Sequence, residues 1–198
     1  MNKEMIGFMR NALLGNISSE PLCEEYKAAW RACGDDKGKL VKLAMRQQSI
    51  PYVCHACHEN LGLSKEYILE NFGDYINGKT LFDADGVDGY SYQLYVGFKD
   101  DFTASADVTS LMWCSSPLIQ IDACKCPLFY ISNDSDVHFA LDGFNSIRIY
   151  LFDDSKVTIE DADESCDVLI YKYNSRAEVE LGKFCLCKVK VFDKTIRL

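Results

Sequence analysis

The sequence predicts an α+β fold in which an N-terminal helical head is followed by an all-β solenoid. Three observations predict it. Apolar residues in roughly the first 78 positions recur at helical spacing. Six segments of the last third then share one pattern: a small or polar residue, a β-branched residue two positions on, and an aliphatic or aromatic residue two further on. They begin at Ser135, Asn145, Ser155, Cys166, Ala177 and Cys187. Their central residues, Val137, Ile147, Val157, Val168, Val179 and Val189, are spaced 10, 10, 11, 11 and 10 residues apart.

The head, residues 1–78, reads as five short helices. Met5, Phe8, Met9, Ala12 and Leu13 give the first apolar stripe. Ser19 is a fitting N-cap, with Pro21 in the next first turn and Tyr26, Ala29, Trp30 and Cys33 on one face up to Gly34. Asp35 or Asp36 caps a third helix carrying Leu40, Val41 and Leu43. Pro51 opens a fourth, over about 51–60. Ser64 caps a fifth, with Tyr67, Ile68, Phe72, Tyr75 and Ile76 as its stripe and Asn77-Gly78 as its stop. Residues 79–117 form a connecting β region, in which residues 90–98 are strongly strand-like and Val108 to Cys114 fits a strand or a short helix.

Residues 118–198 form the repetitive β portion. Short strands about ten residues apart suit a β-solenoid with two strands per coil of about 20 residues; the alternative is an antiparallel β-sandwich or barrel. Tight hairpins call for Asn-Gly or Asp-Gly turns at most reversals, and only Asp142-Gly143 fits. The repeat also keeps its phase. Side chains alternate along a strand, so the patterned positions all face one side, while Arg148, Thr158, Glu160, Glu178, Glu180, Lys188 and Lys190 face the other. Stacked coils with a narrow interior require that, and Cys166, Ala177 and Cys187 then take the small position at a coil edge. Tyr150, Phe152, Tyr171, Tyr173 and Phe192 fall partly on the outer phase, as an exposed aromatic ladder or a strip covered by the head.

Charge narrows the partners. Residues 1–80 carry ten basic and ten acidic side chains, and residues 81–198 carry the whole net charge of −9. An acidic β half disfavours nucleic acid and anionic membrane as ligands, since phosphates need Lys and Arg. A cation or a basic protein surface remains compatible. No stretch approaches the roughly 20 apolar residues of a membrane helix, and the N-terminus lacks the apolar core of a signal peptide. Ten cysteines without such a signal are expected as reduced thiols, and the expected compartment is the cytoplasm.

Two motifs suggest metal chemistry. Cys54, Cys57 and His58 form C-x-x-C-H, the spacing of covalent haem attachment, which belongs to export compartments. The same three residues offer a zinc site, with Cys23 or Cys33 as a fourth ligand. No second C-x-x-C pair accompanies them, and the reading preferred for them is half-buried or buried thiols without a cofactor. Asp83, Asp85 and Asp88 suggest a calcium loop, but Val87 and Asp88 occupy positions that the EF-hand gives to a ligand and to glycine.

Across nearly its full length the chain resembles a group of uncharacterised proteins of gut bacteria and their prophages. The resemblance rests on Cys33-Gly-Asp-Asp36 with Leu40-Val-Lys-Leu43, on residues 73–78, on Leu111 to Cys114, and on residues 143–154. It implies no activity, and so assigns no residue a role. The prophage setting favours a structural or host-interaction part.

Catalytic residues are not apparent. The three histidines are His55, His58 and His138, and neither a nucleophile elbow nor a phosphate-binding loop is present. The paired carboxylates Asp153/Asp154, Glu160/Asp161 and Asp163/Glu164 fall in predicted turns, which leaves a carbohydrate-active solenoid as a minor alternative. The expected function is therefore a non-enzymatic structural or binding scaffold whose partner is another protein or a second copy of the chain.

Overall fold

In a computed structural model of the chain, the described residues are 24–46, 49–58, 63–78, 82–83, 90–122, 127–143 and 146–194. The chain divides into two units between Thr80 and Leu81.

The described part of the first unit holds four helices: α1 (Glu24–Cys33), α2 (Lys37–Ala44), α3 (Ile50–His58) and α4 (Lys65–Phe72). A single 3-10 turn, Gly73–Tyr75, follows α4. The stop and start signals act as the sequence implies. Gly34 adopts φ +56° after α1, a conformation that costs a side-chain-bearing residue more. Asp36 caps α2, its Oδ1 accepting from Lys39 N at 3.1 Å, and that bond holds the Asp36 carboxyl below its ordinary range. Ser64 caps α4 by accepting from Tyr67 N at 3.1 Å. Trp30, Leu40, Val41, Leu43, Ile68, Phe72 and Ile76 are buried, as the stripes predict. The expected first helix and the Ser19 cap lie outside the described residues.

The second unit is a parallel β-solenoid of about five turns. Its strands are β1 (Phe82–Asp83), β2 (Ser91–Val96), β3 (Phe102–Ala104), β4 (Val108–Met112), β5 (Ser115–Ile121) and β6 (Leu128–Ser132). They continue with β7 (Asp136–Leu141), β8 (Ser146–Leu151), β9 (Lys156–Ala162), β10 (Asp167–Lys172), β11 (Glu178–Cys185) and β12 (Lys188–Asp193). From β2 onward successive strands alternate between two sheets. One sheet runs β1-β2-β4-β6-β8-β10-β12, and the other runs β3-β5-β7-β9-β11. Each coil gives one strand to each sheet, and every coil-to-coil pairing is parallel. That excludes the antiparallel sandwich or barrel. Among the described residues only β1 with β2 pairs antiparallel. The same parallel ladder takes in β2 to β4, so the solenoid already includes residues 91–112, within the stretch that composition marks as connecting.

Register explains the repeat. Phe129, Ile149, Ile170 and Val191 stand side by side in one sheet, and Ile119, Phe139, Ile159 and Leu181 in the other. These inner rows meet between the sheets and form one continuous apolar core running from Tyr95 to Ala177. Small residues close the coil edges, as predicted. Cys166 and Ala177 are buried there, and Ser135 and Ser155 join neighbouring coils. Cys114 N donates to Ser135 Oγ, and Ser135 N donates to Ser155 Oγ, each at 3.1 Å. The turns that carry the chain from the longer sheet to the shorter one use left-handed backbone at Gly97, Trp113, Asn133, Asp134 and Asp153.

At Gly182 the reason for glycine is contact. β11 bulges between Leu181 and Phe184, and there a Cβ would lie 2.8 Å from Glu160 Cα, too close for any side chain. No helix among the described residues is long and apolar enough to cross a membrane.

Candidate functional site

The last coil, β11 with β12, obeys the sequence pattern of the coils before it and differs in what surrounds it. Ile159 and Ile170 are fully buried. Their neighbours one coil on, Leu181 and Val191, are 57% and 48% exposed. Phe184 and Leu186 add 64% and 63% exposure, while Val179, Cys185, Cys187 and Val189 are half-buried against the core. An inner row that elsewhere is covered by the next coil is thus open to solvent. β11 has eight residues and β12 has six, and each is the outermost strand of its sheet, with one side of its backbone unpaired by any described strand.

The outer faces of these two strands carry opposite charge. Lys188, Lys190 and Lys194 lie along or just past β12, and Glu178 and Glu180 lie along β11. Glu180 accepts from Lys156 of β9 at 2.9 Å, which raises the Lys156 ammonium above its ordinary pKa. Lys183, in the bulge, lies 5.7 Å from the centre of the Phe184 ring. Between the strands, Cys185 Sγ and Cys187 Sγ approach to 3.6 Å without a disulfide. Burial first, then the bond to Cys185, pushes the Cys187 thiol up to about 12.

The aromatic residues do form a ladder. Tyr130, Tyr150, Tyr171 and Phe192 stack on successive strands with centroids 4.8, 5.2 and 5.1 Å apart, and Phe152 stacks on Tyr173 at 5.0 Å. Each inner ring has both faces taken by its neighbours and presents only its edge. Phe192, the last rung, is 39% exposed and belongs to the same open end.

The remaining candidates are dispersed. Asp161, Asp163 and Glu164 line an open groove of about 950 Å³ together with Asp122 and Asp142, beside the C-terminal ends of the strands of the shorter sheet. Asp163 is occupied there as a turn cap, accepting from Ser165 N and Oγ. The other acids have structural partners. Asp153 accepts from Asn133 N at 3.0 Å, Asp154 pairs with Arg176 at 2.9 Å, and Glu160 meets His138 Nδ1 at 2.6 Å. His138 lies on the outer phase of β7. It is held there between Glu160 and Asp136, not fully solvated.

Cys54 and Cys57 are buried on α3, one turn apart, and His58 is half-buried at its end. Among the described residues no group of three or more His, Cys, Asp or Glu side chains converges as a metal site. Cys23, the expected calcium stretch around Asp85 and Asp88, and Cys124 and Cys126 lie outside the described residues. Comparison with protein-family models, with curated proteins and with solved structures found no match.

Proposed function

We propose that this protein is a non-catalytic interaction scaffold that takes up a protein partner by strand addition at the open end of its solenoid. One observation carries the reading: the inner rows that are fully buried at Ile159 and Ile170 are about half exposed one coil on, at Leu181 and Val191. Apolar side chains in solvent beside two strand edges that no described strand pairs form a surface that gains by being covered. An extended segment of another chain covers both features at once, through backbone hydrogen bonds and apolar contacts.

The dispersed carboxylates do not favour hydrolytic chemistry, because Asp153, Asp154, Asp163 and Glu160 are engaged in turns or ion pairs. The ladder does not favour sugar stacking, because its inner ring faces are already covered.

Combined substitution of Leu181→Thr, Phe184→Thr, Leu186→Ser and Val191→Thr tests the reading. The expected variant keeps its β signal, changes in stability by no more than about 1 kcal/mol, and loses most of its binding of an apolar-surface dye. A variant that unfolds, or loses several kcal/mol, would assign these side chains to the fold's own core and sink the proposal.

A further inference from the structure

We propose that Cys185 and Cys187 form a dithiol–disulfide couple, which a small-molecule disulfide such as oxidised glutathione closes into a bond at the corner between β11 and β12. Three observations carry it. The first is contact. Cys185 Sγ and Cys187 Sγ lie 3.6 Å apart, and a disulfide needs about 2.05 Å, so a movement of about 1.5 Å closes the gap. The second is that the fold holds the pair. Leu186, between them, donates its N–H to Ala162 O at 2.9 Å, and Lys188 N donates to Cys166 O at 3.3 Å. The corner is thus pinned to the previous coil on both sides of Cys187. Leu186 is 63% exposed, while both cysteines pack against the core. The two thiols share one side of the corner, and their encounter is made before any reagent arrives. The third is access. Cys166 takes the place of Cys187 one coil earlier, since the register pairs Asp167 with Lys188. Cys166 is only 1% exposed, with its Sγ 2.9 Å from Gly143 O. Cys185 and Cys187 are half-buried, so a reagent that cannot reach Cys166 reaches them.

The chemistry is thiol–disulfide exchange. Cys185, as its thiolate, attacks one sulfur of the reagent and releases a glutathione thiolate, which takes up a proton. Cys187 then gives up its proton and attacks Cys185 Sγ, and the second glutathione leaves as its thiol. Two cysteine thiols are oxidised to one disulfide, and the reagent disulfide is reduced to two thiols. The first attack falls to Cys185, because burial, and then the bond to Cys185, hold Cys187 protonated.

Peptide mass spectrometry tests this. Trypsin, cutting after Lys183 and Lys188, isolates residues 184–188 with these two cysteines alone, and it isolates residues 157–172 with Cys166 alone. The full chain is incubated with oxidised glutathione at about pH 8, quenched with acid, alkylated and digested. The 184–188 peptide is expected to be lighter by two hydrogen atoms, to take no alkyl group, and to return to its reduced mass with dithiothreitol. The 157–172 peptide is expected to keep a free Cys166. Cys187→Ser is expected to stop at a lasting glutathione adduct on Cys185, and Cys185→Ser to gain adduct at least about tenfold more slowly. In concentrated urea, at the same ratio of oxidised to reduced glutathione, the bond is expected to be at least about tenfold less favoured. A 184–188 peptide that gains only adducts, or that is joined to another peptide, overturns the couple. Equal bond formation in urea overturns the part played by the fold. A Cys166 oxidised alongside the pair overturns the contrast in access, and a Cys185→Ser variant modified as fast as Cys187→Ser overturns the order of attack.

Discussion

The middle coils and the last coil are built from the same pattern and have opposite surroundings. Ile149 and Ile170 in the middle, and Val191 one coil on, are adjacent members of one row, yet the first two are sealed and the third is about half exposed. Burial in a stacked repeat belongs to the neighbour as much as to the residue. A coil contributes its apolar row, and only the next coil turns that row into core. The two ends of the described stack also differ: at one, the two-residue β1 pairs antiparallel with the start of β2, while at the other the inner row of β11 and β12 is partly exposed.

Substitutions can break that comparison at one place and leave it intact at another. The largest difference is expected within one row. Ile170→Ala removes a fully buried side chain and is expected to cost about 2–5 kcal/mol in chemical denaturation, whereas Val191→Ala, one coil on, is expected to cost less than about 1 kcal/mol. Equal costs would mean that Val191 is already covered in the isolated chain. A smaller effect is expected at the coil edges. Ser135 Oγ accepts from Cys114 N and donates to Ser132 O at 2.6 Å, so Ser135→Ala removes both buried bonds and is expected to cost about 1–3 kcal/mol.

The smallest effect concerns Cys187, whose thiol is pushed from 9.0 up to about 12 by burial and by Cys185. A raised folded-state pKa favours the protonated form. Its contribution to stability is therefore fully present below about pH 9 and is lost as pH rises toward about 12. An alkaline titration of stability should fall less steeply in Cys187→Ala than in the wild type. Alkylation of Cys187 should stay slow until the same range is reached, since the thiolate is the nucleophile.

Much of this fold is legible in the sequence, and the reason is sterics. A coil interior one side chain wide admits only one phase of each strand, so Val137, Phe139, Ile147, Ile149, Val157 and Ile159 all had to be apolar, and all are fully buried. The earlier coils were harder to read. Every residue of β4 is buried, and every residue of β2 but its first, so neither strand shows the alternation that marks a half-buried one. The helix boundaries followed from Gly34, Asp36 and Ser64, each of which meets a backbone need that other residues meet less well. The candidate site was legible only in part. Leu181 and Val191 stood in the pattern as ordinary inner residues, and nothing in a row of apolar side chains says whether another coil will cover it. Opposite charge on β11 and β12 was also in view, but its meaning depends on which strands end up outermost.

The parallel registers also set how the molecule bears load. All the coil-to-coil backbone bonds point along the axis of the stack, from Leu128 N to Asp107 O, from Lys156 N to Ser135 O, and from Lys194 N to Lys172 O. A force drawn along that axis meets them a few at a time and peels off one coil after another, beginning with the last. A force drawn along the strands must shear a whole row together. The solenoid is therefore mechanically anisotropic, weak in tension at its tip and stiff across its width.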